Sequence, residues 1–418
     1  MNRYQKEKPQ LIKPKKKIEL NDKQKLTRFI IMILLIIIGL IFIGIGMNNC
    51  IKQNSGWKKI NDTTGYLNDI SLYYNLDKEN PTSINKELTI KYNNYLANSW
   101  IRYNSWISDT DEVFYNMYYI NNHPNEIITI DKYLYNSLKQ VLLSNNYQII
   151  YFAPVYTMFE NLLSARFDYQ ACSQDPYLNN NQKEIYDNFM KYINNDKHIK
   201  LELLDNFQVI LHLSDEYYSF CNEFFEQNIF IDFCYLKNAF IVDEVADKLI
   251  NDGFNNGLLY SEDGYKRIFT KDYIVNEPLY DIDKDNISII NKIGFNNQLS
   301  IVNFKNFHTS DFDKKYSYIY EDGTRRTNII KIIDNNYLNT SSINYFTCYS
   351  YENSCSYQAL KMIDIYINES LDLSMLNDLK KDNINYLYIN NYEIHYSDEL
   401  IFFNDLNNNK LYKTIYDK

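Results

Sequence analysis

Residues 231–253 read IDFCYLKNAFIVDEVADKLINDG and form the most informative stretch of the chain. Apolar residues recur every three or four positions from Ala239 to Ile250, which predicts an amphipathic helix over 239–252. The apolar run 229–233 before it predicts a strand. Asp232 at the strand end and Asp243 on the helix are therefore candidates to face a ligand, although a strand that leads into a helix is also ordinary architecture.

Similar patterns of apolar residues recur on both sides of this stretch. Helical spacing predicts further helices over 83–106, 132–143, 182–193, 356–367 and around 373–380. Short β-rich runs predict strands over 207–213, 257–260, 299–304, 317–320, 343–349 and 386–389. Because helices and strands interleave, we expect an α+β (mixed α/β) domain with a mixed sheet over residues 67–418.

The N-terminus predicts a membrane anchor. Residues 29–47 read FIIMILLIIIGLIFIGIGM, apolar all round and long enough to cross a bilayer as a helix. Residues 1–28 carry ten Lys or Arg against three acidic residues, an excess that favours a cytoplasmic tail. We therefore expect a single-pass protein of the cell membrane with its N-terminus in the cytoplasm, a linker over 48–66 and an extracytoplasmic domain.

Two other interpretations of residues 29–47, a cleaved signal peptide and a lipoprotein signal, match the sequence less well. A cleaved signal peptide has a shorter apolar run of about 7–15 residues and a small-residue cleavage site, for which Gly44-Ile45-Gly46 is a weak match. A lipoprotein needs a small residue directly before its modified cysteine, whereas Cys50 follows Asn49. An uncleaved anchor is favoured.

Charge and cysteine content exclude some classes of function. Without the tail the chain has 33 basic against 50 acidic residues, a charge near −17 that argues against nucleic acid as a partner. The six cysteines are irregularly spaced, and the five histidines stand singly. This pattern predicts neither a disulfide framework nor a zinc site.

Several segments resemble, in order, the motifs of the FAD:protein FMN transferases (the ApbE family). Ile231-Asp232 and Asp243 match that family's Ile-Asp strand end and its Ala-Lys-Gly-Tyr-x-x-Asp helix start. The other matches are residues 152–163 for Gly-x-Val-Leu-x-x-Trp-His, 309–312 for Thr-Ser-Gly-Asp-Tyr, 331–338 for His-Ile-Ile-Asp-Pro-x-Thr-Leu, and 354–360 for Asp-Ala-Leu-x-Thr-Ala-Leu. The resemblance covers roughly residues 67–400 and implies the family's T-fold-like domain.

The resemblance also implies a chemistry. Enzymes of this family bind FAD, use magnesium to cleave its pyrophosphate, and attach FMN to a threonine of a partner protein, here an extracytoplasmic flavoprotein acceptor. Carried over by position, the implied residues fall into three groups. They are Lys331 and Asp334 for catalysis, Asp232, Asn238, Asp243, Thr309 and Ser310 for cofactor binding, and Ser354 and Gln358 for magnesium.

Several of these positions depart from the family pattern. Ser354 and Gln358 replace an Asp and a Thr, so the implied metal site lacks a carboxylate. Lys331 replaces a His, and Asn238 replaces a Lys, with Lys237 beside it. Three interpretations remain open: a divergent transferase, a pseudoenzyme that binds a flavin nucleotide without cleaving it, or a structural protein that keeps the fold for a partner interaction. The second is favoured.

Overall fold

The computed structural model describes residues 21–66, 69–77, 79–107, 115–225, 228–270, 273–283, 286–398, 402–405 and 412–417. The helices in these residues are α1 (Asp22–Asn54), α2 (Pro81–Tyr103), α3 (Met117–Asn122), α4 (Lys132–Leu142), α5 (Ala153–Leu163), α6 (Asp168–Gln174), α7 (Asn180–Ile193), α8 (Asp215–Phe224), α9 (Lys237–Asn251), α10 (Cys355–Tyr366) and α11 (Leu373–Lys381).

The strands in the described residues are β1 (Gly56–Ile60), β2 (Ile70–Leu76), β3 (Ile128–Thr129), β4 (Ile199–Leu203), β5 (Gln208–Leu213), β6 (Gly257–Ser261), β7 (Tyr265–Phe269), β8 (Val275–Asp283), β9 (Asn286–Phe295), β10 (Leu299–Lys305), β11 (Ser317–Ile319), β12 (Arg325–Thr327), β13 (Lys331–Ile333), β14 (Asn336–Leu338), β15 (Tyr345–Ser350), β16 (Asn385–Asn390), β17 (Glu393–Tyr396), β18 (Phe402–Asp405) and β19 (Lys413–Tyr416).

A nine-stranded sheet organises the domain. Its strand order is β1-β2-β6-β7-β10-β15-β16-β17-β19, with antiparallel neighbours except for the parallel pair β17–β19. Along β10 the side chains alternate between two apolar cores: Val302 and Phe304 face one, and Leu299 and Ile301 face the other. The first core lies under α9 and α10, and the second includes residues of β8 and β9. The sheet is therefore covered on both faces.

Helix α9 packs between the sheet and α2. It contacts β6 and β7 on one side and α2 on the other, and all of its residues from Asn238 to Ala246 are buried. The segment before it, however, is not the predicted strand over 229–233. The side-chain oxygen of Asn121 accepts the backbone N–H groups of Phe230 and Ile231, both at 2.9 Å. Since a side chain satisfies these groups, the segment has no need of a partner strand.

The predicted mixed α+β class is confirmed. Most predicted helices recur within a few residues, among them α4, α7, α10 and α11, and the predicted strand over 386–389 lies within β16. The prediction missed β2 and the long hairpin β8–β9.

The N-terminal helix α1 includes one stretch, Lys25–Ile45, that is long and apolar enough to cross a membrane. This stretch overlaps the predicted anchor at 29–47, while the predicted basic tail falls mostly on residues 1–20, outside the described residues. Strand β1, within the predicted linker 48–66, pairs with β2 from Gly56 to Ile60. The sheet therefore begins shortly after α1 ends.

Candidate functional site

A cavity of about 560 Å³ opens beside the start of α9. Cavities of about 300–1,000 Å³ are the usual size for cofactor and small-molecule sites. The wall is formed by α2, α5, α9, the β6–β7 hairpin and a short 3₁₀ turn over Lys314–Tyr316. The lining residues are Tyr66, Asp69, Trp100, Tyr156, Glu160, Asn161, Ser164, Cys234, Tyr235, Lys237, Asn238, Asp263, Lys315, Tyr316 and Asn328.

Four polar side chains meet at one wall of this cavity. Asn238 Nδ2 donates to Asp69 Oδ2 at 3.1 Å and to Asp263 Oδ2 at 2.9 Å. The hydroxyl of Tyr316 also donates to Asp69 Oδ2. Burial, followed by the charge of Asp69, raises the pKa of Asp263 to about 7. Asp263 therefore exchanges its proton near neutral pH, where most carboxyl groups are fully ionised.

The hairpin between β6 and β7 fixes the position of Asp263. Gly264 has φ +107°, and a Cβ atom there would lie 2.1 Å from the backbone oxygen of Asn303. Only glycine fits such a turn. The N–H of Glu262 donates to the backbone oxygen of Asp69 at 2.9 Å, which holds the hairpin beside the start of β2. The two carboxyl groups are thus brought together by backbone contacts.

Lys237 places a cation at the same cavity. Its Nζ lies 3.0 Å from Oδ2 of Asp232, which also accepts from Ser105 Oγ at 2.5 Å. Burial lowers the pKa of Lys237, but the carboxylates of Asp232 and Glu160 together outweigh burial and hold it above the usual value. Asp232 is thus not itself part of the lining but orients a lysine that is.

An aromatic pair provides a flat surface in the cavity. The rings of Tyr66 and Trp100 stack with centroids 4.3 Å apart and planes 5° from parallel. Tyr66 remains 48% exposed. A partly exposed aromatic stack offers favourable packing to a planar ligand ring.

A second cavity of about 550 Å³ adjoins the first and shares Ser164 and Lys315 with it. Its lining also includes Arg166, Lys314 and His308. Burial lowers the pKa of His308, so its ring is neutral at physiological pH. Three basic side chains thus line the second cavity, where Lys314 pairs with Asp311 at 2.5 Å, whereas three carboxyl groups line the first.

Asp243, predicted to contact a cofactor, caps α10 instead of lining the cavity. Its carboxylate accepts the backbone N–H groups of Cys355 at 2.9 Å and Ser356 at 2.8 Å. Arg267 lies 3.2 Å from the same carboxylate. A carboxylate at a helix N-terminus stabilises the helix by satisfying free N–H groups and opposing the helix dipole.

Ser354 and Gln358, the implied magnesium ligands, lie together in the first turn of α10. Ser354 is the N-cap and accepts the N–H of Tyr357 at 3.2 Å. The Gln358 amide donates to two backbone oxygens, and its own oxygen is buried without a partner among the described residues. The nearby Asp243 carboxylate is occupied by α10 and Arg267. The side chains of Ser354 and Gln358 are neutral and already hydrogen-bonded within the protein, so they do not fit a magnesium ion.

Thr309 and Ser310 belong to a turn that is closed by Asp313. Both of their N–H groups donate to the Asp313 carboxylate at 2.8 Å, and Lys305 Nζ lies 2.5 Å from it. Burial raises the pKa of Asp313, but Lys305 and these N–H groups lower it below its usual value. The two predicted residues therefore contact a buried carboxylate, while the next residues of the turn, Asp311 and Phe312, line the second cavity.

Lys331 and Asp334, the implied catalytic pair, lie in the β13–β14 hairpin. Lys331 Nζ is 3.0 Å from Asp364 Oδ1. Asp334 is exposed at the turn, with φ +45°, and Asn335 follows with φ +66°. These values are typical of a tight hairpin turn. Neither residue lines the two cavities, and their catalytic role stays a prediction.

Of the nine predicted site residues, Asn238 alone lines the first cavity. Sequence reasoning missed Tyr66, Asp69, Trp100 and Lys315, which are distant in sequence from α9 and belong to no local motif. Among the described residues, no group of three or more His, Cys, Asp and Glu side chains is arranged to hold a metal ion.

No family model matches the sequence, and no curated protein matches it. Among solved structures, the chain is similar to the flavin transferase ApbE from Vibrio cholerae at 12% identity and a TM-score of 0.48, covering 81% of this chain and 93% of that one. It is also similar to the apo form of the Pseudomonas stutzeri flavinyl transferase ApbE, at 9% identity and a TM-score of 0.48, covering 84% and 95%. Both belong to the family that the ordered sequence segments resemble, and this likeness concerns the fold alone.

Proposed function

We propose that this chain is a membrane-anchored, flavin-transferase-like protein that binds a flavin nucleotide such as FAD on the extracytoplasmic side, with catalytic transfer reduced or lost. The observation that carries the proposal is the first cavity with its stacked Tyr66–Trp100 pair and its cationic neighbour. The ordered resemblance of the sequence to FMN transferases supplies the class of ligand.

The two cavities suit the two chemical parts of a dinucleotide. A flat ring stacks on Tyr66 and Trp100, in a cavity that three carboxyl groups line beside two lysines. The phosphates then point towards Lys315, shared by both cavities, and towards Arg166 and Lys314 in the second one. Arginine and lysine are the usual partners of phosphate oxygens.

The residues at the implied metal site support a loss of catalysis. Cleavage of a pyrophosphate requires cationic stabilisation of the charge that develops on the phosphate oxygens. Ser354 and Gln358 are neutral and already hydrogen-bonded to the backbone. In the family the bound metal supplies that stabilisation, and in this chain no equivalent ligand set is built from the described residues.

The proposal is tested on the full chain in detergent micelles with FAD, with and without magnesium. Calorimetry measures binding, and mass spectrometry measures the release of AMP and the transfer of FMN to a threonine-containing acceptor peptide. We expect binding without AMP release. AMP release with transfer would identify an active transferase that modifies an acceptor protein, and absence of binding would favour a structural role.

The membrane anchor is a separate part of the proposal. The apolar stretch Lys25–Ile45 and the basic residues before it support insertion with the domain outside the cytoplasm. Alkaline carbonate should leave the protein in the membrane fraction, and protease added to intact cells should digest the domain. Release by carbonate, or protection from protease in intact cells but not in lysed ones, would contradict this orientation.

A further inference from the structure

A third cavity, of about 290 Å³, lies along the N-terminal half of α5, whereas the second cavity lies at the C-terminal end of that helix. Its wall includes Trp106, Met158, Asn161, Gln174, Phe224 and Phe225, and none of its lining side chains is charged. The first two cavities, by contrast, are lined by several charged side chains. The third cavity therefore suits an uncharged, apolar group.

Two aromatic side chains at the third cavity remain open to solvent. Trp106 and Phe224 are each 41% exposed, and Ile107, which follows Trp106, is 51% exposed. Phe224 packs on Phe220, with ring centroids 4.9 Å apart. Aromatic side chains that surround a pocket are typical of the few residues that carry most of the energy of protein–protein binding. The cavity thus has the composition of a site that takes one large side chain of a partner.

Two amide side chains give the cavity hydrogen-bonding groups. Asn161 and Gln174 line it, and neither amide makes a hydrogen bond to any residue that the structure describes. Asn161 is exposed and Gln174 is partly buried, so both are open to a ligand. Such an amide has donors and an acceptor that match the backbone of an extended segment. Asn121 binds backbone in this way elsewhere in the chain: its oxygen accepts the N–H groups of Phe230 and Ile231, and its nitrogen donates to the Ile231 oxygen at 2.9 Å.

The rim of the third cavity is acidic on the side of α8. The charged residues of this helix are Asp215, Glu216 and Glu223, all of them acidic and exposed. Glu223 directly precedes the lining residue Phe224, and it has no ion pair with any residue that the structure describes. It lies in the last turn of α8, where the helix dipole also leaves a partial negative charge. This part of the rim therefore favours a cation beside the apolar group.

We infer that the third cavity is a docking site for an extended segment of a partner protein, which places an aromatic or large aliphatic side chain in the cavity and a lysine or arginine beside Glu223. The amides of Asn161 and Gln174 hold the backbone of this segment. Asn161 also lines the first cavity, so the bound segment lies directly beside the proposed nucleotide site. The inference goes beyond the proposed function and does not depend on nucleotide binding.

The test selects random heptapeptides displayed on phage against the full chain in micelles. We expect the enriched peptides to share an aromatic or large aliphatic residue with a lysine or arginine close to it. Glu223→Lys should reverse the charge preference, so that Asp or Glu is selected beside the apolar residue. Glu369→Lys is the matched control, because Glu369 is also exposed and does not line the cavity, and it should leave the preference unchanged.

Filling the cavity gives a second measurement. Met158→Trp should weaken the binding of an enriched peptide about tenfold or more in calorimetry, because it removes the space for the anchoring side chain. The charge reversal at the exposed Glu223 is measurable even if Met158→Trp does not fold. Unchanged affinity in a folded Met158→Trp, enriched peptides without an apolar anchor, or a charge preference that Glu223→Lys leaves intact would overturn the inference. No enrichment at all would also overturn it and would leave the cavity to an uncharged small ligand.

Discussion

The amide nitrogen of Asn238 donates to Asp69 at 3.1 Å and to Asp263 at 2.9 Å, so one side chain bridges two carboxyl groups. Asn238 is the second residue of α9, Asp69 directly precedes β2, and Asp263 lies in the β6–β7 turn. The bridge therefore joins three parts of the fold at the wall of the cavity.

Replacing Asn238 by Leu should destabilise the domain. The change removes a hydrogen-bond donor from both carboxyl groups and leaves the repulsion between them uncompensated. We expect the free energy of unfolding to fall by about 2–3 kcal/mol. Urea denaturation followed by circular dichroism measures this cost. An unchanged free energy of unfolding would show that the bridge contributes nothing to stability.

The raised pKa of Asp263 predicts a pH dependence of stability. Its pKa rises from 3.8 to about 7 on folding because of burial and the charge of Asp69, while hydrogen bonds from Ser261 and Asn238 and the charge of Lys315 oppose the rise. Between these values the folded state binds more protons than the unfolded state, so this group lowers stability progressively from about pH 4 to pH 7.

The Asp263→Asn variant should lose that dependence. Relative to the unmodified chain it should gain stability as the pH rises from 4 to 8, by about 2–4 kcal/mol at most. Thermal denaturation of both proteins across this range gives the difference. Parallel curves for the two proteins would mean that the pKa of Asp263 is the same in the folded and unfolded states.

Asp243 should matter for stability and not for ligand binding. Replacing it by Ala removes the acceptor for two N–H groups at the start of α10 and leaves Arg267 with Asp247 alone, which should cost about 2–4 kcal/mol. Under conditions where the variant is folded, its affinity for FAD should match that of the unmodified chain. A selective loss of affinity in a folded variant would support the cofactor role predicted from the sequence.

The aromatic pair should contribute to nucleotide affinity. Replacing Trp100 by Leu removes the ring stacked on Tyr66 and should weaken FAD binding about two- to twelvefold, since an aromatic stacking pair is worth about 0.5–1.5 kcal/mol. Trp57→Leu is a matched control, because Trp57 contacts Tyr273 and does not line the cavity. Equal affinities for the two variants would exclude a stacking role for Trp100.

Helices with a clear apolar face were predictable from the sequence, and α9 and α10 recur close to their expected bounds. The segment 229–233 was predicted as a strand because it is short and apolar. Its backbone is instead satisfied by Asn121, more than a hundred residues away. A periodic pattern reports burial, but it does not report which partner takes the backbone hydrogen bonds.

The candidate site was less predictable than the fold for a related reason. Asp243 and Thr309 were predicted site residues because they match polar positions of the family motifs. Both make hydrogen bonds within the protein. Whether a carboxylate faces a ligand or a helix terminus depends on how the elements pack. Asp69 and Trp100 join the cavity only through the sheet register and the packing of α2 on α9.

Flavin-nucleotide binding without turnover is tested most directly by a calorimetric titration of FAD into the full chain in micelles, with released AMP measured in the same samples by mass spectrometry. We expect saturable binding of one FAD per chain, weakened by Trp100→Leu, and no AMP above a protein-free control with magnesium present. Absence of binding, or turnover of FAD to AMP, would show that the proposed function is wrong.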